Sequence, residues 1–170
     1  MNEIWKKTLT EQYGSSLAML ENAMRNCPDG LWCGGMWRDP AMPPEFSEVW
    51  YTAYHALFWL DFYLSGAPAD FAPPPPFTLS ELDPAGKLPP RLYSRAELLA
   101  YLEIGRKKGL AIIAGLTEEA ASRVIKFNWG EMPYLELLID VIRHNQEHGA
   151  QINMFLGQQA GINSRWVTKE

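Results

Sequence analysis

The chain has 170 residues and a mass of 19.3 kDa, with 15 Lys and Arg against 20 Asp and Glu and a net charge of −5. That length fits one domain spanning 1–170 with a sizeable core, and 47% hydrophobic against 21% charged residues excludes disorder over most of it. A pI near 5.3 without a dense basic run argues against a nucleic-acid partner, and the absence of any stretch of about 18 apolar residues argues against a membrane one.

Four segments carry helical periodicity and strand signals are nearly absent. The first helix is expected from about Thr10 to Cys27, where Leu17, Leu20, Met24 and Cys27 recur at steps of three and four, and Pro28-Asp29-Gly30 closes it. A Trp-, Gly- and Pro-rich stretch follows to Pro44. The second helix is expected from Phe46 to Leu64, stopping at Gly66-Ala67-Pro68. A third begins at Ser94, where Ser94-Arg95-Ala96-Glu97 has the spacing of a capping box, and runs to about Leu116. Thr117-Glu118-Glu119 reads as the cap of a short extra turn. The last helix is expected from Pro133, at its first position, to near Gly157.

Between the second and third helices lies an irregular stretch from Gly66 to Tyr93 that includes Pro73-Pro74-Pro75-Pro76. Loops of that length are uncommon inside a compact domain, and a crossover explains this one: a 20-residue helix is about 30 Å long, which an extended chain of this length covers. The expected fold class is therefore all-α, a four-helix bundle of up-down-down-up course with a long crossover between helices two and three. A disordered linker between two hairpins is the competing reading, and it leaves each hairpin's apolar face bare.

The second helix is apolar on two sides. Glu48, Tyr51, His55, Phe58, Trp59 and Phe62 form one stripe, and Val49, Ala53, Leu57, Leu60 and Leu64 another. The bundle covers one side. Either the crossover loop or a second copy of the chain, making a homodimer through this helix, covers the other.

The histidines carry the chemistry. His144 and His148 are four apart, so they stand on one face of the last helix together with Tyr134, Leu137, Val141, Ile152 and Phe155. The remaining histidine, His55, lies on the buried aromatic stripe of the second helix. Three inward imidazoles from two helices make a facial site for a divalent transition metal such as Zn²⁺, Ni²⁺ or Fe²⁺, with positions left for water or a small-molecule substrate. Core histidines paired by hydrogen bonds are the bland alternative, but burying three without partners is costly and a shared metal removes that cost. His144-Asn145-Gln146-Glu147-His148 also fits H-x-x-E-H, yet Glu170 is the only acid after His148 to serve as the downstream ligand of that motif. A di-iron bundle fails because no histidine has a glutamate three residues before it.

The segments Trp50-Tyr51-Thr52-Ala53-Tyr54-His55-Ala56-Leu57 and Arg143-His144-Asn145-Gln146-Glu147-His148-Gly149-Ala150-Gln151-Ile152, with the long crossover between them, resemble the DinB-like (YfiT-like) superfamily of metal-dependent bundles. The resemblance spans about Leu17 to Gly157. It implies an up-down-down-up bundle, usually dimeric, with a three-histidine site for Zn²⁺ or Ni²⁺ at His55, His144 and His148, and it implies thiol-dependent transferase or isomerase chemistry with small intracellular thiols. The Trp- and Pro-rich first loop departs from the pattern.

Other residues carry two readings each. Glu147, about 60° from His144 around the helix, is either a general base or orienting group or a surface acid. Tyr51 and Tyr54 either donate to a ligand at the metal or pack the core. Glu48 is expected at the pocket mouth, and Gln151 either at the ligand or against a neighbouring helix. Asp61 is expected at solvent or an interface, and Arg106-Lys107-Lys108 on a solvated face. Trp32, Met36 and Trp37 either wall the pocket or seal the core. Cys33 is expected to be inert. With two cysteines and no apolar signal core behind Met1, the expected compartment is the cytoplasm. A metal-dependent transferase or hydrolase leads; a non-catalytic metal- or ligand-binding stress-response bundle and a structural dimeric bundle are the rivals.

Overall fold

A computed structural model describes residues 2–169. The protein is mostly helical. Helix α1 spans Glu3–Asn26 and begins earlier than its apolar periodicity, because the Asn2 side chain accepts from the backbone N–H of Ile4 and caps two exposed turns. Pro28 ends it, since proline cannot continue the ladder. A short 3-10 turn at Pro44–Ser47 replaces the expected first turn of the second helix, so α2 spans Val49–Leu64. Helix α3, Arg95–Gly115, starts at the capping box: Ser94 Oγ accepts from the N–H of Glu97, and the Glu97 carboxylate accepts from the N–H of Ser94. Thr117 caps the short α4, Glu118–Ser122.

The expectation of almost no strand needs one correction. Val124–Phe127 (β1) and Gly130–Pro133 (β2) form an antiparallel hairpin pairing Val124 with Pro133 and Phe127 with Gly130. Phe127 stacks on Trp129 and meets Tyr63 edge-on, so the hairpin packs onto the end of α2. Pro133 belongs to this hairpin and stands at the N-cap of α5, which spans Tyr134–Ala160 and ends on Gly161 in the left-handed region.

The long helices pack through specific close approaches. Tyr13 of α1 donates to the carbonyl of Gly105 in α3 at 2.6 Å, and a Cβ on Gly109 would fall 2.3 Å from the Tyr13 ring. Lys6 donates to the carbonyl of Ala114, and Arg95 to that of Cys27. A Cβ on Gly149 of α5 would lie 3.3 Å from the Leu20 backbone nitrogen, so that glycine brings α5 against α1. Tyr134 donates to the carbonyl of Leu64 at 2.6 Å and pins the start of α5 to the end of α2.

The crossover, residues 66–93, is a packed part of the core. Phe71 sits edge-on to Phe58 and Phe62 of α2, and Phe77 stacks on Tyr54 and on Tyr101. Of the two covers open to α2, the loop supplies one within the chain. Asp61 differs from expectation. It is buried against α3, where its carboxylate accepts from Tyr101 at 3.0 Å and Lys108 at 2.5 Å. Lys108 is thereby drawn off the solvated face, and Arg106 likewise pairs with Glu21 of α1 at 2.5 Å. No helix among the described residues is long and apolar enough to cross a membrane.

Candidate metal centre

Helix α2 delivers His55 and α5 delivers His144 and His148, and the close approaches at Tyr134 and Gly149 fix where α5 lies. The three rings converge through their Nε2 atoms: His144 is 3.3 Å from His55 and 3.1 Å from His148. One ligating nitrogen from each lies within 4.8 Å of the others, a cluster able to bind a metal ion.

The outer nitrogens decide what the inner ones are. His55 Nδ1 faces Glu81 Oε2 at 2.7 Å, and His148 Nδ1 faces Gln151 Oε1 at 2.9 Å. Both partners are acceptors; the Gln151 amide is oriented by its own donation to Glu147 Oε1 at 3.3 Å. Each of these Nδ1 atoms is therefore the donor, and in the neutral ring each Nε2 presents a bare lone pair to the centre. His144 Nδ1 is buried without a partner. Burial first, then the neighbouring imidazoles, pushes the His144 pKa down to about 3, and the same causes lower that of His148. Those rings are neutral at ordinary pH, the form that ligates metal. At most one N–H of His144 can answer two lone pairs, whereas a cation answers all three. The residues fit a divalent metal.

Glu81 was not legible in the sequence. It comes from the crossover, its side chain is 5% exposed, and it accepts from His55, from the Tyr51 hydroxyl and from Trp59 Nε1 at 2.9 Å. Burial pushes its pKa up, but the hydrogen bonds and charge of its partners outweigh that and leave it below the usual value, so it is a carboxylate. A carboxylate behind a ligand histidine fixes its tautomer and ring orientation.

The cluster opens onto a cavity of about 420 Å³ walled by Trp37, Met42, Phe46, Tyr51, Thr52, His55, Glu81, His148 and Gln151. Tyr51 is thus at the site, with its hydroxyl given to Glu81 and its pKa raised by burial and by that carboxylate. Tyr54 lies outside the wall and donates to the carbonyl of Thr78. Gln151 holds His148, and Glu147 is exposed and touches the site only through Gln151. Glu48 stands at the N-cap position of α2, but its carboxylate makes no cap bond and accepts from Trp50 Nε1 instead; it is not part of the cavity wall. Trp37 walls the cavity, whereas Trp32 is buried in the core and donates to the carbonyl of Tyr93. Cys33 is exposed, and burial raises its thiol pKa.

An all-α protein with a three-histidine cluster beside a cavity is the class that fold and site define. The sequence profile of the DinB superfamily matches residues 12–152, most of the chain, and the chain belongs to that superfamily. No curated protein matches it.

Proposed function

We propose that this protein is a metal-dependent enzyme in which His55, His144 and His148 hold one divalent transition ion, Zn²⁺ or Ni²⁺ ahead of Fe²⁺ or Mn²⁺. The observation that carries the reading is the convergence of three Nε2 atoms whose outer nitrogens, at His55 and His148, are already committed. The open side of the cluster faces a cavity of substrate size. When bound, the ion supplies Lewis acidity that lets a ligated water or thiol ionise near neutral pH. Glu81 and Gln151 orient their histidines, and Trp37 and Tyr51 narrow access of water. Family resemblance supplies the reaction class, a small-thiol-dependent transferase, with hydrolysis second.

One observation favours a non-catalytic metal- or ligand-binding bundle instead. The carboxylate on the cavity wall, Glu81, is engaged by three donors, and the Tyr51 hydroxyl is one of them. Neither is free to move a substrate proton.

The course we assign is up-down-down-up. Lys6 meets Ala114 while Cys27 meets Arg95, which supports opposed α1 and α3; Tyr54 meets Tyr93 while Asp61 meets Lys108, which supports parallel α2 and α3. We also assign a homodimer through α2, where Trp59, Phe62 and Tyr63 stay half-buried, and a cytoplasmic location, which the free Cys27 and Cys33 suit. Elemental analysis of purified protein tests the centre: close to one transition ion per chain is expected. A metal-free protein that also ignores added Zn²⁺ and Ni²⁺ overturns it. With metal present, turnover of small thiols with electrophilic acceptors supports the enzyme, and silence across thiol and hydrolase substrates favours the binder.

A further inference from the structure

The cavity wall is divided by chemistry. Trp37, Met42 and Phe46, from the segment between α1 and α2, join Tyr51 in an apolar, largely aromatic side; Phe46 and Tyr51 meet edge to face at 4.7 Å. The rest of the wall is polar, with Thr52, the His55 and His148 rings, Glu81 and Gln151, and the Tyr51 hydroxyl bonded to Glu81 joins the two parts. No Lys or Arg is among the described residues that line the cavity. A divalent ion beside neutral imidazoles and one carboxylate leaves a single unit of positive charge. One anionic donor atom on a ligand cancels it, and a second anionic group finds no cation on the wall. Glu147, outside the wall, accepts from Gln151 and adds negative potential beside it.

We infer that the cavity selects a flat apolar compound bearing one ionisable S–H or O–H, its donor atom directed at the three histidines and its body against Trp37, Met42 and Phe46. Peptide-like or phosphorylated ligands with several anionic groups are disfavoured. The inference rests on the metal reading above and names the ligand class of that site. Trp37 is the specificity-determining residue: it is 41% exposed, so its ring forms a lip that a ligand covers rather than a support of the core. Beyond that lip Arg38 lines an adjoining groove that shares Trp37 and Met42 with the cavity and also holds Asp39.

Hydroxamates separate the donor from the body. Protein loaded with Zn²⁺ or Ni²⁺, its content checked by elemental analysis, is titrated calorimetrically with acetohydroxamate, benzohydroxamate and 4-carboxybenzohydroxamate. Benzohydroxamate is expected to bind at least about tenfold more tightly than acetohydroxamate, as desolvating a phenyl ring against an apolar wall provides. Trp37→Ala should erase most of that ratio while acetohydroxamate affinity stays within about twofold. The carboxyl group should weaken binding. Equal affinities for the first two, a ratio indifferent to Trp37→Ala, or tighter binding of the carboxylated compound that Arg38→Ala abolishes each overturns the ligand class while leaving the metal centre standing. Protein that takes up no ion and binds no hydroxamate overturns the metal reading and this inference together.

Discussion

Helix α2 carries two buried polar sites on its flanks, and they are built on opposite principles. At Asp61, donors and acceptors balance. Lys108 spends its three N–H bonds on the Asp61 carboxylate, the Asp61 carbonyl and Ser65 Oγ, and Tyr101 fills the second carboxylate oxygen. At His55 two of the three outer nitrogens are paired, through Glu81 and Gln151, His144 Nδ1 is buried without a partner, and the centre is three nitrogens facing one another at 3.1 and 3.3 Å. A closed network is complete as folded; an open one has acceptors in surplus and a cavity beside it. The difference separates a structural polar cluster from a binding one, since buried polar groups left over at a native site call for a partner.

The largest expected effect breaks the open site alone. His55→Ala or His148→Ala should remove the stoichiometric ion, and chelation should lower the melting temperature of the parent protein but not of either variant; retained metal would refute the ligand set. Asp61→Ala should do the reverse, destabilising the fold by about 2–4 kcal/mol in denaturant titration through an unpaired lysine, with metal content unchanged. The lower part of that range is expected because the Lys108 side chain is 32% exposed. Gly109→Ala should cost about 1–3 kcal/mol, because a Cβ there would fall 2.3 Å from Tyr13; an unchanged unfolding midpoint would show that Tyr13 relocates freely.

Glu81→Gln sharpens the contrast more finely. The amide oxygen still accepts from His55 Nδ1, so metal affinity measured against a chromophoric chelator should fall by about tenfold, and Glu81→Ala should cost more. Equal affinities in all three proteins would show that the carboxylate does not support the ligand. The smallest effect lies away from both sites. Glu97, held mainly by Arg91 and the N–H of Ser94, has its pKa lowered to about 2 from an ordinary 4.5. Its contribution, below about 1 kcal/mol at an exposed position, is complete above pH 4.5 and lost as pH falls toward 2. The stability gap between the parent and Glu97→Gln should therefore close across that interval, and a gap constant with pH would count against the bridge.

The sequence made the open site legible and left the closed one hidden. His144 and His148 share a face by local geometry, and His55 stood out as the third of three histidines. Ser94 and Glu97 announced the start of α3 through their spacing. Asp61 offered no such mark, because its partner is a lysine 47 positions later whose neighbours, Arg106 and Lys107, read as a solvated turn. Glu81 lies in the aperiodic crossover, where nothing local distinguishes it from Asp83. The hairpin leaves little trace in the sequence because Asn128-Trp129 lacks the turn chemistry of short loops and each strand is four residues long. The early start of α1 rests on a cap, with no apolar stripe behind it.

The crossover also bears on how the molecule can be cut and rejoined. Phe71 and Phe77 fill the core and Glu81 reaches His55 of the histidine cluster, so deleting the chain from 71 to 81, or replacing it by a flexible spacer, should destabilise both. A few residues on, Gly86 sits at a positive φ in an exposed turn with open space around it. New termini for a circular permutation, an inserted tag or a tethered reporter belong at Gly86, about 5 residues beyond the Glu81 carboxylate.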